Sequence, residues 1–218
     1  MRKDLLVTDQ IYHVFSRSIA GFKIFNSEAD HSRIIQLLQY YKKAEPNIRF
    51  SRFNKLIKKN KIDFQQLHSE KENLIDIVAY CIMPPHLHLV LKQRKKSGIS
   101  IFMNNILNSY TRFFNTKHQR KGPLWESRFK NVLVETNEYL LHLTRYMHLN
   151  PVTSGLVDAA ELWESSSYKE YLSLVDKDNL ICNFSNLIDI SPKEYKIFVE
   201  ERTDYQRELQ KIKNLMLD

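Results

Sequence analysis

The sequence predicts an α+β fold in which helices lie on one side of an antiparallel sheet. Residues 10–19, QIYHVFSRSI, are rich in β-branched and aromatic side chains and indicate a strand. Two short apolar runs at 74–83 and 86–91 flank Pro84-Pro85 and indicate neighbouring strands, because proline cannot donate to a sheet ladder. A shorter extended segment is expected at 128–135. Since helical segments separate these strands, we expect the sheet and the helices to form separate layers.

Four helices are predicted from apolar residues three and four positions apart: about 28–41, 99–118, 137–149 and 193–216. Asn26 or Ser27 can cap the first helix, and Pro46 ends it. A Gly-Pro pair ends the second helix, and Pro151 ends the third. The Ser-Pro-Lys-Glu sequence that starts at Ser191 combines a cap, a first-turn proline and a capping-box glutamate, so the fourth helix begins there.

Length and composition favour one folded domain with an extension. The chain has 218 residues, 43% of them apolar and only four of them glycine, which argues against disorder and against a flexible linker. We expect a main domain at 1–160, a basic insertion at about 50–70, and a helical extension at 161–218 that packs on the domain. The two cysteines provide neither a disulfide framework nor a CxxC metal site. Without an apolar run that could cross a membrane or start a signal peptide, the cytoplasm is the expected compartment.

Positive charge is concentrated in one segment. The chain has 33 Lys and Arg against 25 Asp and Glu, a net charge of +8. Residues 92–130 carry ten basic side chains and a single acid, Glu126, so the rest of the chain is close to neutral. Such a segment is typical of a protein with a polyphosphate partner, because each neutralised phosphate releases a counterion. A solvated surface without a partner is the alternative, and charge alone does not decide.

Two histidines two positions apart are candidate metal ligands. In a strand, His86 and His88 share one face and Leu87 lies on the other. Two imidazoles on one face can bind a single cation at about 2.0–2.1 Å each. Because an HxH sequence also occurs by chance, the pattern alone is weak.

A tyrosine and an asparagine four residues apart form a second candidate group. Tyr146 and Asn150 share one face of the predicted helix. The amide oxygen of Asn150 could serve as a third ligand, with the phenol of Tyr146 one turn away as a nucleophile for a phosphodiester. The structural alternative is a core tyrosine and an asparagine that ends the helix before proline.

Four motifs together resemble the HUH single-strand transposases, and within them the REP-associated tyrosine transposases. YHVFSR at 12–17 is similar to the first strand of that family, and CIMPPHLHLVL at 81–91 to its strand with paired histidines. GPLWESRF at 122–129 resembles its Trp-x-x-Arg-Phe segment. YLLHLTRYMHLNPVTSGLV at 139–157 resembles its tyrosine helix, which is the most specific match. The resemblance covers roughly residues 8–160.

The resemblance implies the HUH endonuclease fold, a ferredoxin-like antiparallel sheet with helices on one side. It implies that His86, His88 and Asn150 bind a divalent metal, Mg²⁺ or Mn²⁺, and that Tyr146 is the catalytic nucleophile. The implied reaction cleaves and rejoins DNA through a 5′-phosphotyrosine intermediate. Pro85 and the pair Thr153-Ser154 depart from the usual family residues, but neither is an implied ligand.

The implied partner is single-stranded DNA with hairpins, such as dispersed palindromic repeats, bound in the cytoplasm at the nucleoid and not at a membrane. Whether the chain forms a homodimer, and in which subunit the tyrosine acts, stays open. Trp125 either stacks on a base or belongs to the core. The side chains expected to bind DNA are Arg112, Lys117, Arg120, Lys121, Trp125, Arg128 and Lys130.

Several alternatives remain at this stage. Tyr110 is a rival nucleophile, although Asn115 follows it by five residues, a poorer helical match than four. His142 could relay a proton to Tyr146 or could be a surface histidine. The chain could also be a catalytically silent DNA-binding or regulatory protein on the same fold, or a replication or conjugation initiator. A zinc hydrolase is disfavoured because no HExxH sequence accompanies the histidines.

Overall fold

The computed structural model describes residues 5–43, 48–56, 60 and 71–203. Within them, four strands form an antiparallel sheet in the order β2-β3-β1-β4. With one long helix after β1 and another after β3, this is the βαββαβ arrangement of ferredoxin-like folds, as predicted. The strands are β1 (Ile11–Arg17), β2 (Ile75–Met83), β3 (His86–Gln93) and β4 (Lys130–Leu133).

Helices make up most of the remaining regular structure. Ser191 caps the last helix through a capping box with Glu194, as the sequence predicts. Ser27, one of the two candidate caps, caps the first helix through a capping box with Asp30. The helices are α1 (Glu28–Tyr41), α2 (Phe50–Phe53), α3 (Gly98–Lys117), α4 (Asn137–Thr153), α5 (Tyr168–Tyr171) and α6 (Pro192–Glu200).

The sheet is covered on both faces. Helices α1 and α3 pack on the face that presents Leu87 and Leu89, and both helices of the βαββαβ unit therefore lie on one side, as expected. The other face, which presents Val78 and Val90, packs against α4 and against residues 160–199. Since both faces are covered, every residue of β2 is buried.

The turn between β2 and β3 is anchored by the segment that follows β1. The carbonyl of Pro85 accepts a hydrogen bond from the amide of Ser18 at 2.8 Å. The carbonyl of Pro84 accepts two more, from the amides of Ile24 at 2.8 Å and Phe25 at 3.1 Å. These bonds fix the start of β3, and with it the position of His86.

Helix α4 continues past the proline that was expected to end it, so the predicted end at residue 149 is wrong. The helix extends to Thr153 with Pro151 in its last turn. Gly155, with φ +67°, then ends the helix, and the amide of Leu156 bonds back to the carbonyl of Pro151 at 2.9 Å. Proline is tolerated there because it removes only one backbone hydrogen bond, close to the helix end.

Two expectations fall partly outside the described residues. The basic insertion at about 50–70 begins with α2, whereas residues 57–59 and 61–70 are not described. The last predicted helix is observed as Pro192–Glu200, and residues 204–218 are not described. In the part of the chain that is described, no helix is long and apolar enough to cross a membrane.

Candidate active site

Strand β3 presents two imidazoles to one face of the sheet. His86 and His88 lie two residues apart, with ring centroids separated by 4.8 Å. Leu87 between them is fully buried in the core beneath α1 and α3. Because this apolar side of the strand is anchored, the histidines necessarily face the side of α4, as the sequence predicts.

Both imidazoles are neutral at physiological pH. Burial, with a contribution from the Arg17 guanidinium, lowers the pKa of His86 to about 4. Burial, with contributions from His86 and His13, lowers the pKa of His88 to about 3. A neutral imidazole keeps the lone pair that metal coordination requires, so both side chains are suitable ligands at pH 7.

Helix α4 brings Tyr146 to the histidines. Its ring centroid lies 6.3 Å from that of His88, with the planes nearly perpendicular at 83°. The residue is 45% exposed, so the phenol is open to a substrate. By contrast, Tyr110 is 0% exposed and its hydroxyl donates to the carbonyl of Ile24 at 2.6 Å, in the core beneath α1 and α3. The structure thus groups Tyr146, and not Tyr110, with the histidines.

Asn150 lies one turn beyond Tyr146 on α4 and is buried. Its side-chain amide nitrogen has no hydrogen-bond partner among the described residues. A buried amide nitrogen without a partner is costly, and after a half-turn of the amide the oxygen would occupy that position, where it could bind a cation. No three His, Cys, Asp or Glu side chains converge on a metal position in the described part of the chain. Neutral imidazoles and amide oxygens are ligand types that suit Mn²⁺ or Mg²⁺, although Asn150 is not among the side chains that line the cleft of His86 and His88.

A third histidine, which sequence reasoning did not assign, contacts this group. Nε2 of His13 lies 2.9 Å from Nδ1 of His88, and the two rings stack with centroids 5.1 Å apart. The alternation of β1 places His13 on the same face as Phe15 and Arg17. Only the pairing of β1 with β3 shows that this face is also that of His86 and His88.

His86, His88 and Tyr146 line a cleft of about 460 Å³. Three cations line it as well: Arg17 at the end of β1, and Arg128 and Lys130 at the start of β4. Glu126 is the one acidic residue among the lining side chains. The excess of positive charge suits a phosphodiester next to the phenol.

Two of the predicted DNA-binding residues lie on the other side of the sheet. Arg112 and Lys117 of α3 line a second groove of about 460 Å³, together with Arg33 and Arg49. The Arg33 guanidinium lies over the ring of Phe113, 4.6 Å from its centroid. We call this groove, formed by α1, α2 and α3, the helix-side groove. The predicted DNA-binding residues are thus divided between two faces of the molecule.

The remaining predicted DNA-binding residues have other surroundings. The guanidinium of Arg120 donates to the side-chain oxygen of Asn115 and to the carbonyl of Pro123, so it holds the loop after α3. Trp125 packs on the core, and its indole N–H donates to Thr111 and to a backbone carbonyl of α3. These contacts favour the core role for Trp125. Lys121 is exposed in the loop.

The two histidines of α4, His142 and His148, lie away from the cleft. His142 is exposed and contacts Arg145 at 2.7 Å, which makes it a surface histidine. His148 is completely buried, and its two ring nitrogens form hydrogen bonds with the hydroxyls of Tyr195 at 2.7 Å and Ser167 at 2.8 Å. His148 therefore joins α4 to the layer formed by residues 160–199.

A ferredoxin-like sheet with paired histidines and a helical tyrosine defines the HUH class of DNA strand transferases. The family model for IS200-like transposases matches residues 34–150, more than half of the chain. This chain belongs to the IS200-like transposase family, whose members are enzymes that act on DNA. The matched range includes His86, His88, Tyr146 and Asn150. The resemblance drawn from the four sequence motifs is confirmed.

Individual relatives agree with this assignment. A Haemophilus influenzae protein described as a REP-associated tyrosine transposase is 28% identical over 103 residues. That match covers 43% of this chain and 58% of the length of the relative. A solved structure of a REP-associated tyrosine transposase bound to a REP hairpin has the same fold, with a TM-score of 0.57 at 13% identity. It aligns with 87% of this chain and 98% of its own.

Proposed function

We propose that this chain is a metal-dependent transposase that cleaves and rejoins single-stranded DNA next to hairpins. The observation that carries this proposal is the exposed phenol of Tyr146, 6.3 Å from the ring of His88, in a basic cleft. Membership of the IS200-like family supports the class of reaction. The structural relative bound to a REP hairpin supports hairpin DNA as the partner.

The reaction starts with Tyr146. The phenol oxygen attacks the scissile phosphorus, the phenol proton passes to solvent, and the bond from phosphorus to the 3′ oxygen breaks. The products are a 5′-phosphotyrosine and a free 3′ hydroxyl. Attack by that hydroxyl, or by the hydroxyl of another strand, reverses the step. Strands are joined without ATP because the phosphotyrosine conserves the energy of the phosphodiester.

His86, His88 and Asn150 would hold the divalent metal. A bound cation polarises the phosphate oxygens and offsets the negative charge that develops in the transition state. The neutral imidazoles of the two histidines and the amide oxygen of Asn150 would suit Mn²⁺ better than an all-oxygen site would, and Mg²⁺ is the alternative. The side chains of Arg17, Arg128 and Lys130 would neutralise the phosphates that flank the scissile bond.

The two grooves would bind different parts of the DNA. The cleft takes the single strand, because only there does a phosphate reach Tyr146. The helix-side groove would bind the phosphate backbone of the hairpin through Arg112 and Lys117, supported by Arg33 and Arg49. Arg120 and Lys121 extend this basic surface along the loop after α3.

We infer that Tyr146 acts in the site of its own subunit. Tyr146 and His88 contact each other within the same molecule, so the tyrosine would act in its own subunit whether or not a homodimer forms. We retain 1–160 as the catalytic domain, with a basic insertion at about 50–70. In this view 161–218 is an extension, and its core residues between Tyr168 and Val199 pack on the same face of the sheet as α4. The enzyme would act in the cytoplasm, at the nucleoid.

Trapping of the covalent intermediate tests the proposal. The protein is incubated with labelled single-stranded hairpin DNA and Mn²⁺, and adducts are separated on a denaturing gel. We expect an adduct that requires Mn²⁺, disappears with EDTA or in Tyr146→Phe, and persists in Tyr110→Phe. Loss of the adduct in Tyr110→Phe alone would overturn the choice of nucleophile. Tight binding without an adduct under any metal condition would support a catalytically silent DNA-binding protein.

A further inference from the structure

His13 lies at the centre of the sheet, diagonally across from a proposed metal ligand. In the pairing of β1 with β3, His13 is opposite Val90, and Phe15 is opposite His88. His13 and His88 are therefore diagonal neighbours on one face, a spacing that large side chains bridge. Strand β4 pairs with the other edge of β1, so His13 is held by backbone bonds on both sides.

The contact between the two imidazoles is specific. The atoms that meet are Nε2 of His13 and Nδ1 of His88, at 2.9 Å, and the ring planes differ by 22°. Phe15 packs beside both rings, with centroids 5.1 Å from His13 and 6.0 Å from His88. This bond engages Nδ1 of His88 and leaves Nε2 as the nitrogen that can bind a metal.

Metal binding by His88 through Nε2 would set the direction of this bond. A neutral imidazole carries one proton, on one of its two nitrogens. If His13 donated, His88 would carry its proton on Nε2 and could not use that nitrogen as a ligand. If His88 donates from Nδ1, the lone pair of its Nε2 is free, and this is the arrangement in which histidines bind metals.

We propose that His13 is a positioning residue that accepts a hydrogen bond from Nδ1 of His88 and so presents Nε2 of His88 to the metal. This inference rests on the proposed function, because it assigns His88 as a ligand. It predicts a tautomer of His88 that is present before any metal binds. The tautomer can therefore be measured independently of metal binding and of strand cleavage.

Two variants separate the hydrogen bond from the ring. His13→Gln keeps an acceptor at nearly the same distance from the backbone, whereas His13→Leu removes it with a side chain of similar bulk. His142→Leu is the matched control, because His142 is an exposed histidine outside the cleft. Melting temperatures of the full-length proteins show which variants are folded.

The first readout is the long-range ¹H–¹⁵N spectrum of the imidazoles in metal-free protein. We expect the proton of His88 on Nδ1 in the wild type and in His13→Gln, and a shift toward the Nε2 tautomer in His13→Leu. The second readout is Mn²⁺ affinity by electron paramagnetic resonance. Loss of a partner of this kind raises the dissociation constant roughly 10–100-fold. We expect that loss in His13→Leu, and a change under about threefold in His13→Gln and His142→Leu.

Three results would overturn the inference: a wild-type His88 protonated on Nε2, a folded His13→Leu with unchanged tautomer and affinity, or a folded His13→Gln that behaves like His13→Leu. If His13→Leu does not fold, the wild-type tautomer and the His13→Gln variant still decide. A wild-type protein that binds no Mn²⁺ would count against the proposed function, whereas the tautomer would still support or reject the role of His13.

Discussion

The two sides of the sheet present grooves of similar size, about 460 Å³ each, with different chemistry. The cleft combines neutral histidines, an exposed tyrosine and three cations. The helix-side groove combines basic side chains with the phenylalanines Phe50 and Phe113. Its lining side chains include serine and threonine hydroxyls but no tyrosine or histidine. Both grooves can attract DNA, but only the cleft brings a phenol next to a candidate metal site.

The two tyrosines show the same contrast. Tyr146 and Tyr110 both lie on long helices close to basic residues, and their spacing to an asparagine differs by one residue. Burial raises the pKa of Tyr110 well above its usual value, and its hydroxyl is engaged with a carbonyl of the core. The comparison teaches that exposure and free hydrogen-bonding capacity, more than sequence spacing, distinguish a potential nucleophile from a structural tyrosine.

The largest expected effect is the loss of a ligand in the cleft. His88→Ala should slow strand cleavage by roughly 100-fold or more, because the metal contributes several kcal/mol of transition-state stabilisation. Hairpin binding should be retained, since the helix-side groove is intact. The control is His142→Ala, which should cleave at the wild-type rate. If both variants lost activity equally, the cleft would not be the site of metal-dependent chemistry.

A double change in the helix-side groove should affect binding without affecting chemistry. Arg49 and Arg112 form no salt bridge to any residue that the structure describes. The variant Arg49→Ala/Arg112→Ala should weaken hairpin binding roughly 10-fold and reduce the slope of log K against log salt by about 2. Cleavage at saturating DNA should stay unchanged. Fluorescence anisotropy over a salt series measures the slope, with the exposed Lys193→Ala as a control outside both grooves. An unchanged slope would exclude the groove as a DNA-binding surface.

At the edge of the same groove, Asp30 should stabilise the fold in a pH-dependent way. Burial raises its pKa, but hydrogen bonds from Lys117 and Ser27 and the charge of Lys117 outweigh burial, so its pKa lies below the usual 3.8. The contribution of Asp30 to the free energy of unfolding is therefore complete above about pH 3.8, and it is lost as the pH falls through the lower pKa of the folded state. Asp30→Asn should cost about 2 kcal/mol in the free energy of unfolding at pH 7. Urea titrations at pH 7 and pH 3 measure the difference, which should shrink at pH 3.

The smallest effects on stability are expected at the two tyrosines. Tyr110→Phe removes the hydroxyl that donates to the carbonyl of Ile24 at 2.6 Å, and should lower the free energy of unfolding by about 1 kcal/mol. Tyr146→Phe, at an exposed position, should change stability by less than about 0.5 kcal/mol and abolish the covalent adduct. Urea denaturation and adduct gels on both variants test this crossed pattern. Loss of the adduct in Tyr110→Phe with unchanged stability would reverse the two roles.

Local signals made much of the fold predictable. The serine caps of α1 and α6 were predictable because a side chain three residues away completes each capping box. The alternation of β3 correctly placed His86 and His88 opposite the leucines. The end of α4 was mispredicted because the helix accommodates Pro151 in its last turn, at the loss of one backbone hydrogen bond, and Gly155 terminates it instead.

Features that depend on the pairing of distant segments could not be predicted. The role of His13 depends on its register with β3, 75 residues away. The division of the predicted DNA-binding residues between two faces depends on which side of the sheet α3 occupies. For Trp125 the choice between base stacking and core packing was open, since only the folded chain brings its indole to the carbonyl of Leu107 and the hydroxyl of Thr111.

The buried His148 restrains the movement of α4, the helix that carries Tyr146. Its hydrogen bonds to Tyr195 and Ser167 join α4 to the layer formed by residues 160–199, so separating the two would leave buried polar groups without partners. Local opening of α4 and of the layer beneath it would therefore be one cooperative event, with similar hydrogen-exchange protection for the central amides of α4 and α6. Tyr146 would then lie on a helix that stays packed on its neighbours, and the movement needed for strand exchange would have to come from the DNA.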